Sequence, residues 1–504
     1  MPYSKMPPHI RAFYKPETYP HPAKHIEMIQ THASWVFLSG DFAYKFKKPV
    51  NFGFMDFSTL AKRKYYCEQE LKLNRRLAPA LYLDVLPVYR HGDTYNLSKP
   101  GEIVDYCLKM IRFSQSNLFD QKLLQDKFEP QWMDQLAEYV AHFHDQAEIN
   151  TDNGFDHASL LASHIQDNLA IATEHAGIAI APESLHSLSA FISTEMAAKQ
   201  GVLKQRQTDR HIRHCHGDLH FRNITLVNDK PVLFDCIEFN DAYRIIDTMN
   251  DVAFLVMDCD AHMRPDLGMR FLSRYLEYSG DYTGLVLLPL YLFYRASVRG
   301  KVACILAGEL PAEKQQPQWY EAQKYFELAT RYTKPAKPAL FAIGGLSGSG
   351  KSHLALLGCG PQRAVIIRSD ATRKRIATEY PDLEQYGRRM HIHTYKTMLD
   401  AARCVLNAEV SVILDATFLD PESRKQVREL ANSCSVLLHF YWLDIDPKTL
   451  KNNILSREQA GHDISDADFD VLTRQLAGYR RPEENGIRFL KSSEAFPLTA
   501  INPG

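Results

Sequence analysis

From Lys24 the chain alternates apolar and polar positions in short runs: KHIEMIQ, then SWVFL, a Ser39-Gly40-Asp41 turn, and FAYKFKK. This period-two pattern predicts an antiparallel meander. At Ser58 the spacing changes. STLAKRKYYCEQELKLNRRL, with Leu60, Tyr66, Leu71 and Leu77 among its apolar positions and Pro79 just beyond, predicts a helix over 58–77 packed on that sheet. YLDVLPVYR and VDYCLKMIRF predict further strands. From Trp132 the pattern is mainly helical, interrupted around HGDLHFRNITLV and PVLFDCI. A small β-rich lobe thus precedes a larger helical one. YEAQKYFELATRYTKPAKP then closes a polar helix in a Pro/Lys connector, after which ALFAI, AVII, SVIL and VLLHFYWL recur with helical stretches between them. That is the rhythm of βα units building a parallel sheet. The expected architecture is two domains, an α+β bilobal one over 1–332 and an α/β one over 338–504.

Composition narrows the partners. The 504 residues are 45% hydrophobic and 24% charged, ordinary globular usage in a chain long enough for two cores. Lys plus Arg, 59, balance Asp plus Glu, 60, so no global field draws the protein to nucleic acid or to an anionic membrane. The nine cysteines stand singly with no C-x-x-C pair, which argues for buried thiols rather than a zinc or redox site. MPYSKMPPHIRAFYKPETYPHP lacks an apolar signal core, and LVLLPLYLFY from Leu285 is too short to span a bilayer. The sequence predicts a cytoplasmic protein without a membrane partner, and leaves its oligomeric state open.

The sharpest motif is GLSGSGKS, placed between the strand ALFAI and the helical KSHLALL. Gly345, Leu346, Ser347, Gly348, Ser349 and Gly350 form a loop whose amides, with the following helix N-terminus, face a phosphate chain. Lys351 reaches the β and γ phosphates and the Ser352 hydroxyl ligates magnesium, so ATP and Mg²⁺ are the expected cofactors. The next strand runs into RSDATRKR. There Asp370 can accept the proton of a substrate hydroxyl or cap the helix that follows, and Arg373, one turn on, can hold an anionic substrate. Asp415, at the end of SVILD, can hold magnesium-bound water or orient a catalytic arginine. Arg457, ahead of the Gly/His/Asp loop in SREQAGHDISDADF, is the candidate lid residue for transition-state charge. Over residues 338 to 504 these motifs resemble the P-loop kinases related to polynucleotide kinase, zeta toxin and chloramphenicol phosphotransferase. The resemblance implies phosphoryl transfer to a hydroxyl, with Asp370 as base and Arg457 as lid arginine.

HGDLHFRN fits H-G-D-x-x-x-x-N, a relative of the kinase catalytic loop, with Asp218 to meet the acceptor hydroxyl and Asn223 to hold a metal. Asp235 in VLFDCIEF occupies the place of a magnesium aspartate at the end of an apolar strand. In FAYKFKK strand alternation puts Ala43, Lys45 and Lys47 on one face, with Lys45 the first candidate for the phosphate lysine and Lys47 the second. Glu70 on the helix pairs with that lysine. Asp247 and Asp251 are expected to anchor the helix after them. Over residues 20 to 320 this order resembles the aminoglycoside-phosphotransferase-like branch of the protein-kinase-like fold, which implies two lobes with ATP in the cleft. One departure is the turn THAS, Thr31 to Ser34, where glycines would cover the phosphates.

The leading expectation is a bifunctional ATP-dependent phosphotransferase acting on small-molecule hydroxyls, one site per domain, with phosphorylated compounds suited to the C-terminal site. A second makes the N-terminal domain a non-catalytic ligand sensor regulating a C-terminal kinase. A third is a P-loop ATPase or a nucleic-acid 5′-hydroxyl kinase, which the balanced net charge disfavours.

Overall fold

The computed structural model describes residues 6–53, 55–152, 154–385, 387–460, 469–493 and 496, with 457–460 described in their backbone alone. It divides into two compact units. Residues 1–132, 147–155 and 210–251 form the first, and residues 133–146, 156–209 and 252–504 the second.

The first unit opens with α1 (Pro8–Ala12), β1 (Ile26–Gln30), β2 (Ser34–Ser39), β3 (Phe42–Lys47), α2 (Leu60–Asn74), β4 (Tyr82–His91), β5 (Thr94–Asn96), β6 (Glu102–Ile111) and α3 (Phe119–Leu124). Its strands make an antiparallel sheet in the order β1-β2-β3-β6-β4-β5. Strand alternation sorts the two faces. Trp35, Phe37, Tyr44 and Phe46 turn to one side, where Met6, Ile10, Phe13 and Tyr19 cover them. That cover, with α1, is too short to register as a period in the sequence. Leu38, Ala43, Leu108 and Met110 turn to the other side, with Leu71 of α2 against them. Lys45 and Lys47 share this second face. Helix α2 starts where Thr59 accepts a hydrogen bond from the Lys62 amide at 3.2 Å, an N-cap the expected 58–77 span did not resolve. The unit closes with β7 (Ile212–His214), the hairpin β8 (Ile224–Val227) and β9 (Lys230–Leu233), and β10 (Ile245–Asp247).

The second unit holds the helices α4 (Gln131–Gln146, from its third residue), α5 (His157–Glu174), α6 (Pro182–Thr208), α7 (Thr248–Ala261, from Val252), α8 (Pro265–Ser279), α9 (Leu288–Glu309) and α10 (Gln316–Tyr332). It continues with β11 (Ala339–Gly345), α11 (Lys351–Cys359), β12 (Ala364–Arg368), α12 (Ser369–Ile376), α13 (Arg388–Asn407), β13 (Ser411–Asp415), α14 (Pro421–Ser433), β14 (Leu437–Leu443), α15 (Pro447–Ala460), α16 (Phe469–Gly478) and β15 (Ile487–Leu490). These five strands pair in parallel in the order β12-β13-β11-β14-β15. Asp415 lies in register with Ile343 of β11 on one side and Arg368 of β12 on the other, so the carboxyl ends of three neighbouring strands open on one crevice.

The compact units cut the chain differently from the sequence-based division into 1–332 and 338–504. Strand β12 is an edge, and α8 covers it: the Ile366 amide donates to Ser273 Oγ at 2.9 Å, and Arg363 forms a two-pronged pair with Asp260 of α7 at 2.9 and 2.7 Å. An edge strand leaves amides unpaired, and α8 supplies an acceptor for one of them. Among the described residues no helix is long and apolar enough to cross a membrane.

Candidate active sites

In the first unit the two lysines of β3 meet three carboxylates. Lys45 Nζ donates to Glu70 Oε1 at 2.8 Å and to Asp235 Oδ1 at 2.5 Å. Lys47 Nζ donates to Glu70 Oε2 at 2.7 Å and also to Glu238. Glu70 therefore spends one oxygen on each lysine. Burial pushes its carboxyl up, but Lys45 and Lys47 outweigh that and hold it at about 2. Burial pulls Lys45 down, and Asp235 and Glu70 more than restore it, leaving it well above the usual lysine value. Lys45, Glu70 and Asp235 thus come together as the sequence predicts. Glu238 was not foreseen, since a glutamate three residues beyond Asp235 carries no pattern of its own. Removing one partner of a buried pair leaves the other charge stranded. Lys47→Met is expected to cost about 3–5 kcal/mol, read from the first urea transition, with part of the loss recovered by adding Glu238→Gln.

Asp235 stands two residues beyond β9 with a left-handed backbone, φ 61°, a conformation that aspartate adopts more readily than most residues with a side chain. Two anchors hold it there. Its amide donates to Tyr82 Oη at 3.0 Å, and the next amide, of Cys236, donates to Asn74 Oδ1 at 2.8 Å. Asn74 lies one turn after Glu70 on α2, so a single helix face presents the lysine's partner and the segment's clamp.

The HGD loop is fixed just as tightly. Asp251 accepts from the His216 amide at 3.0 Å and from the Gly217 amide at 2.9 Å, so it pins the loop, whereas Asp247 accepts from the Met249 amide at 2.8 Å and does anchor α7. Asp251 itself stands in the first turn of α7, so it ties that helix to the loop. Gly217 has φ 85°, and a Cβ there would lie 2.7 Å from the Tyr243 carbonyl oxygen, so only glycine fits. His216 is fully buried, with Nε2 3.0 Å from the Phe234 carbonyl and Nδ1 accepting from the Asp218 amide at 3.2 Å. Burial lowers its pKa, consistent with the neutral ring that this pairing requires. Asn223 Nδ2 donates to Asp218 Oδ2 at 2.8 Å, and His220 Nε2 lies 3.2 Å from the same oxygen. Asn223 Oδ1 and the Asp235 carboxylate are hard oxygen donors of the kind magnesium takes.

The THAS turn differs from a glycine-rich cover. The amides of Ala33 and Ser34 both donate to Thr31 Oγ1, at 3.3 and 2.9 Å. Two of the amides that such a turn could offer a phosphate are engaged within it.

In the second unit a cavity of about 620 Å³ opens above the parallel sheet, lined by the phosphate loop and by Arg368, Asp370, Arg373, His391, Tyr395, Asp415 and Asn453. The loop has the required backbone: Gly345, Gly348 and Gly350 all have positive φ, and a Cβ on Gly348 would lie 2.7 Å from the Leu450 carbonyl oxygen. Ser352 Oγ donates to Asp415 Oδ2 at 2.6 Å, two oxygen donors in the arrangement that suits a magnesium ion. Lys351 Nζ rests on the Leu346 carbonyl at 2.9 Å. Two residues without a sequence signal grip the loop: Gln475 Oε1 accepts from the Ser347 amide at 2.9 Å, and Asn453 Nδ2 donates to the Gly348 carbonyl at 2.8 Å. Asp370 sits in the first turn of α12, where Arg368 is the cap position and makes no side-chain cap bond. The capping role foreseen for Asp370 is therefore not the one it plays. Arg373 donates to Asp370 Oδ1 at 2.9 Å, so it is the carboxylate's partner as well as part of the cavity wall. Arg457 lies on α15, but its side chain, like residues 461–468, is outside the described residues.

Comparison with known proteins follows this division. Residues 340–482 match the AAA domain family model. The chain is 32% identical over 416 residues to the uncharacterised proteins Rv2004c of Mycobacterium tuberculosis and Mb2027c of Mycobacterium bovis, spanning 81% of this chain and 81% of each relative. The chain belongs to the family of these mycobacterial proteins. This family member is also similar to a choline/ethanolamine kinase family protein from Mesorhizobium loti (12% identity, 62% of this chain, 92% of that one, TM-score 0.37). A second similar structure is the ADP-bound aminoglycoside phosphotransferase APH(2'')-Ib (15%, 61% and 94%, 0.33). A third is the Mycobacterium tuberculosis APS kinase solved with AMPPNP and APS (17%, 31% and 89%, 0.25). In this member of the family the six-stranded sheet, α2, the HGD loop and the Asp235 segment stand together in the first unit. The all-parallel sheet with its phosphate loop lies in the stretch that matches the AAA domain model.

Proposed function

We propose that the protein is a bifunctional ATP-dependent phosphotransferase acting on hydroxyl groups of small molecules, with one site in the N-terminal kinase-like domain and one in the P-loop domain. The observations that support this reading are the Lys45–Glu70–Asp235 cluster and the Asp218–Asn223 pair in one unit, and Lys351, Ser352, Asp370 and Asp415 around one cavity in the other. In the N-terminal site Asp218, oriented by Asn223 and His220, takes the proton of the acceptor hydroxyl as its oxygen bonds to the γ-phosphorus. The bond from that phosphorus to the β,γ-bridging oxygen breaks and ADP leaves, while Lys45, aimed by Glu70, holds the α and β phosphates. In the C-terminal site Asp370 takes the proton and Lys351 holds the β and γ phosphates, with Arg457 assigned to the transferring charge. Magnesium, held by Asn223 and Asp235 in one site and by Ser352 and Asp415 in the other, would neutralise the phosphate oxygens. A phosphorylated acceptor at the second site would meet Lys351 and Arg373 of the cavity wall, beside the carboxylates of Asp370, Asp415 and Asp420.

The test is transfer of labelled γ-phosphate from ATP into a cytoplasmic metabolite extract by the intact chain, by Asp218→Asn, by Lys351→Ala and by the double variant. The proposal expects each single variant to lose a different labelled product. A second reading, in which the N-terminal domain senses a ligand without turnover, is favoured by the engaged amides of the THAS turn. It expects all labelling to depend on Lys351.

A further inference from the structure

The helix that covers the edge of the C-terminal sheet also grips a residue of the cavity wall. At the end of β12, Arg368 places its guanidinium against Glu277 of α8, with Nε donating to Oε1 at 2.5 Å and Nη2 donating to Oε2. Behind that pair Arg274 donates to Glu277 Oε2 at 2.9 Å and to Asp134 of α4 at 3.1 Å, and Arg270 forks onto Asp134 at 2.9 and 2.5 Å. Glu277 and Arg368 are both largely buried, with side chains 5% and 11% exposed. Burial pushes the Glu277 carboxyl up to about 8, with Arg274 pulling back and the Asp134 and Asp415 carboxylates adding to the push. The fork-on-fork contact with Arg368 opposes that rise and favours the ionised form.

Arg368 is the cap residue of α12, and Asp370 stands in the first turn of that helix. We infer that Glu277 is a positioning residue for the C-terminal site: by clamping Arg368 it fixes the β12–α12 junction and so the place of Asp370, making α8 part of the P-loop kinase. The inference rests on the reading of Asp370 as that site's base. Two observations separate this role from edge cover alone. Ser273, one turn earlier on α8, already serves the β12 edge by accepting the Ile366 amide, whereas Glu277 touches no backbone of the strand and spends its oxygens on guanidiniums. The clamped residue also lines the cavity beside Asp370.

The experiment uses the full-length chain carrying Asp218→Asn, and compares Glu277→Gln with Ser273→Ala. Three quantities are read: Lys351-dependent transfer of labelled γ-phosphate into a metabolite extract, affinity for a fluorescent ATP analogue, and amide hydrogen exchange over 345–358 and 364–376. For Glu277→Gln, exchange over 364–376 rises while that over 345–358 holds, analogue affinity stays within about twofold, and transfer falls about tenfold or more, as expected when a reacting group is slightly misplaced. Ser273→Ala loosens the strand edge without that fall. Unchanged exchange over 364–376 in Glu277→Gln, or a loss of transfer no larger than that of Ser273→Ala, overturns the inference. Should the parent chain transfer no label while Glu277→Gln still loosens 364–376, the clamp stands and the kinase reading of the site falls.

Discussion

Lys351→Ala is expected to lower transfer from the C-terminal site by roughly 10²–10³-fold, about 2.7–4 kcal/mol of transition-state stabilisation. The lysine opens α11 directly after the loop glycines, and its ammonium rests on the Leu346 carbonyl within the loop it serves. Its contribution is a positive charge placed before the reaction begins, so the loss should fall on turnover as well as on nucleotide affinity. Stability should be nearly unchanged, because the Nζ bond to the Leu346 carbonyl is only partly buried and joins a neutral acceptor. Steady-state transfer with ATP varied, set beside a thermal melt, checks both halves. An unaltered rate would mean that the loop does not hold the reacting phosphates.

Asp218→Asn is expected to remove the N-terminal product, with a loss of roughly 10²–10⁴-fold, the span that a positioned general base supplies. The substitution keeps the shape and removes the proton acceptor. Asn223 can still donate to an amide oxygen at position 218, and the side chain is about a third exposed, so folding should survive. Measured as the yield of the product that persists in Lys351→Ala, the effect is separable from the C-terminal site. If Asp218→Asn leaves every labelled product in place, the N-terminal constellation binds without reacting, and the turn whose Ala33 and Ser34 amides are already engaged becomes the reason.

The two variants draw on different kinds of legibility. Lys351 and its glycines stand in one contiguous stretch, since a phosphate loop is a local backbone shape that needs glycine at fixed places. Lys45, Glu70, Asp218 and Asp235 were legible as an ordered set, each set by its own strand, helix or loop. Glu238, Asn74, Gln475 and Asn453 were not, because their roles are contacts across the fold and nothing near them in the chain records the partner. Asp251 shows the same limit from the other side: its position next to a helix start suggested an anchor, and the fold used it on the HGD loop.

By itself the sequence determined most of the strands and helices, the glycine loop ahead of α11, and the ordered set Lys45, Glu70, Asp218 and Asp235. All of these follow from local periodicity, backbone freedom and short-range spacing. Only the tertiary structure decided that Lys47 pairs with Glu238 as well as with Glu70, and that α8 completes the edge of the parallel sheet. Those outcomes depend on which buried charges find partners. The cost of leaving a charge or an amide unpaired in the interior is paid between segments far apart in the chain, where no local pattern can specify it.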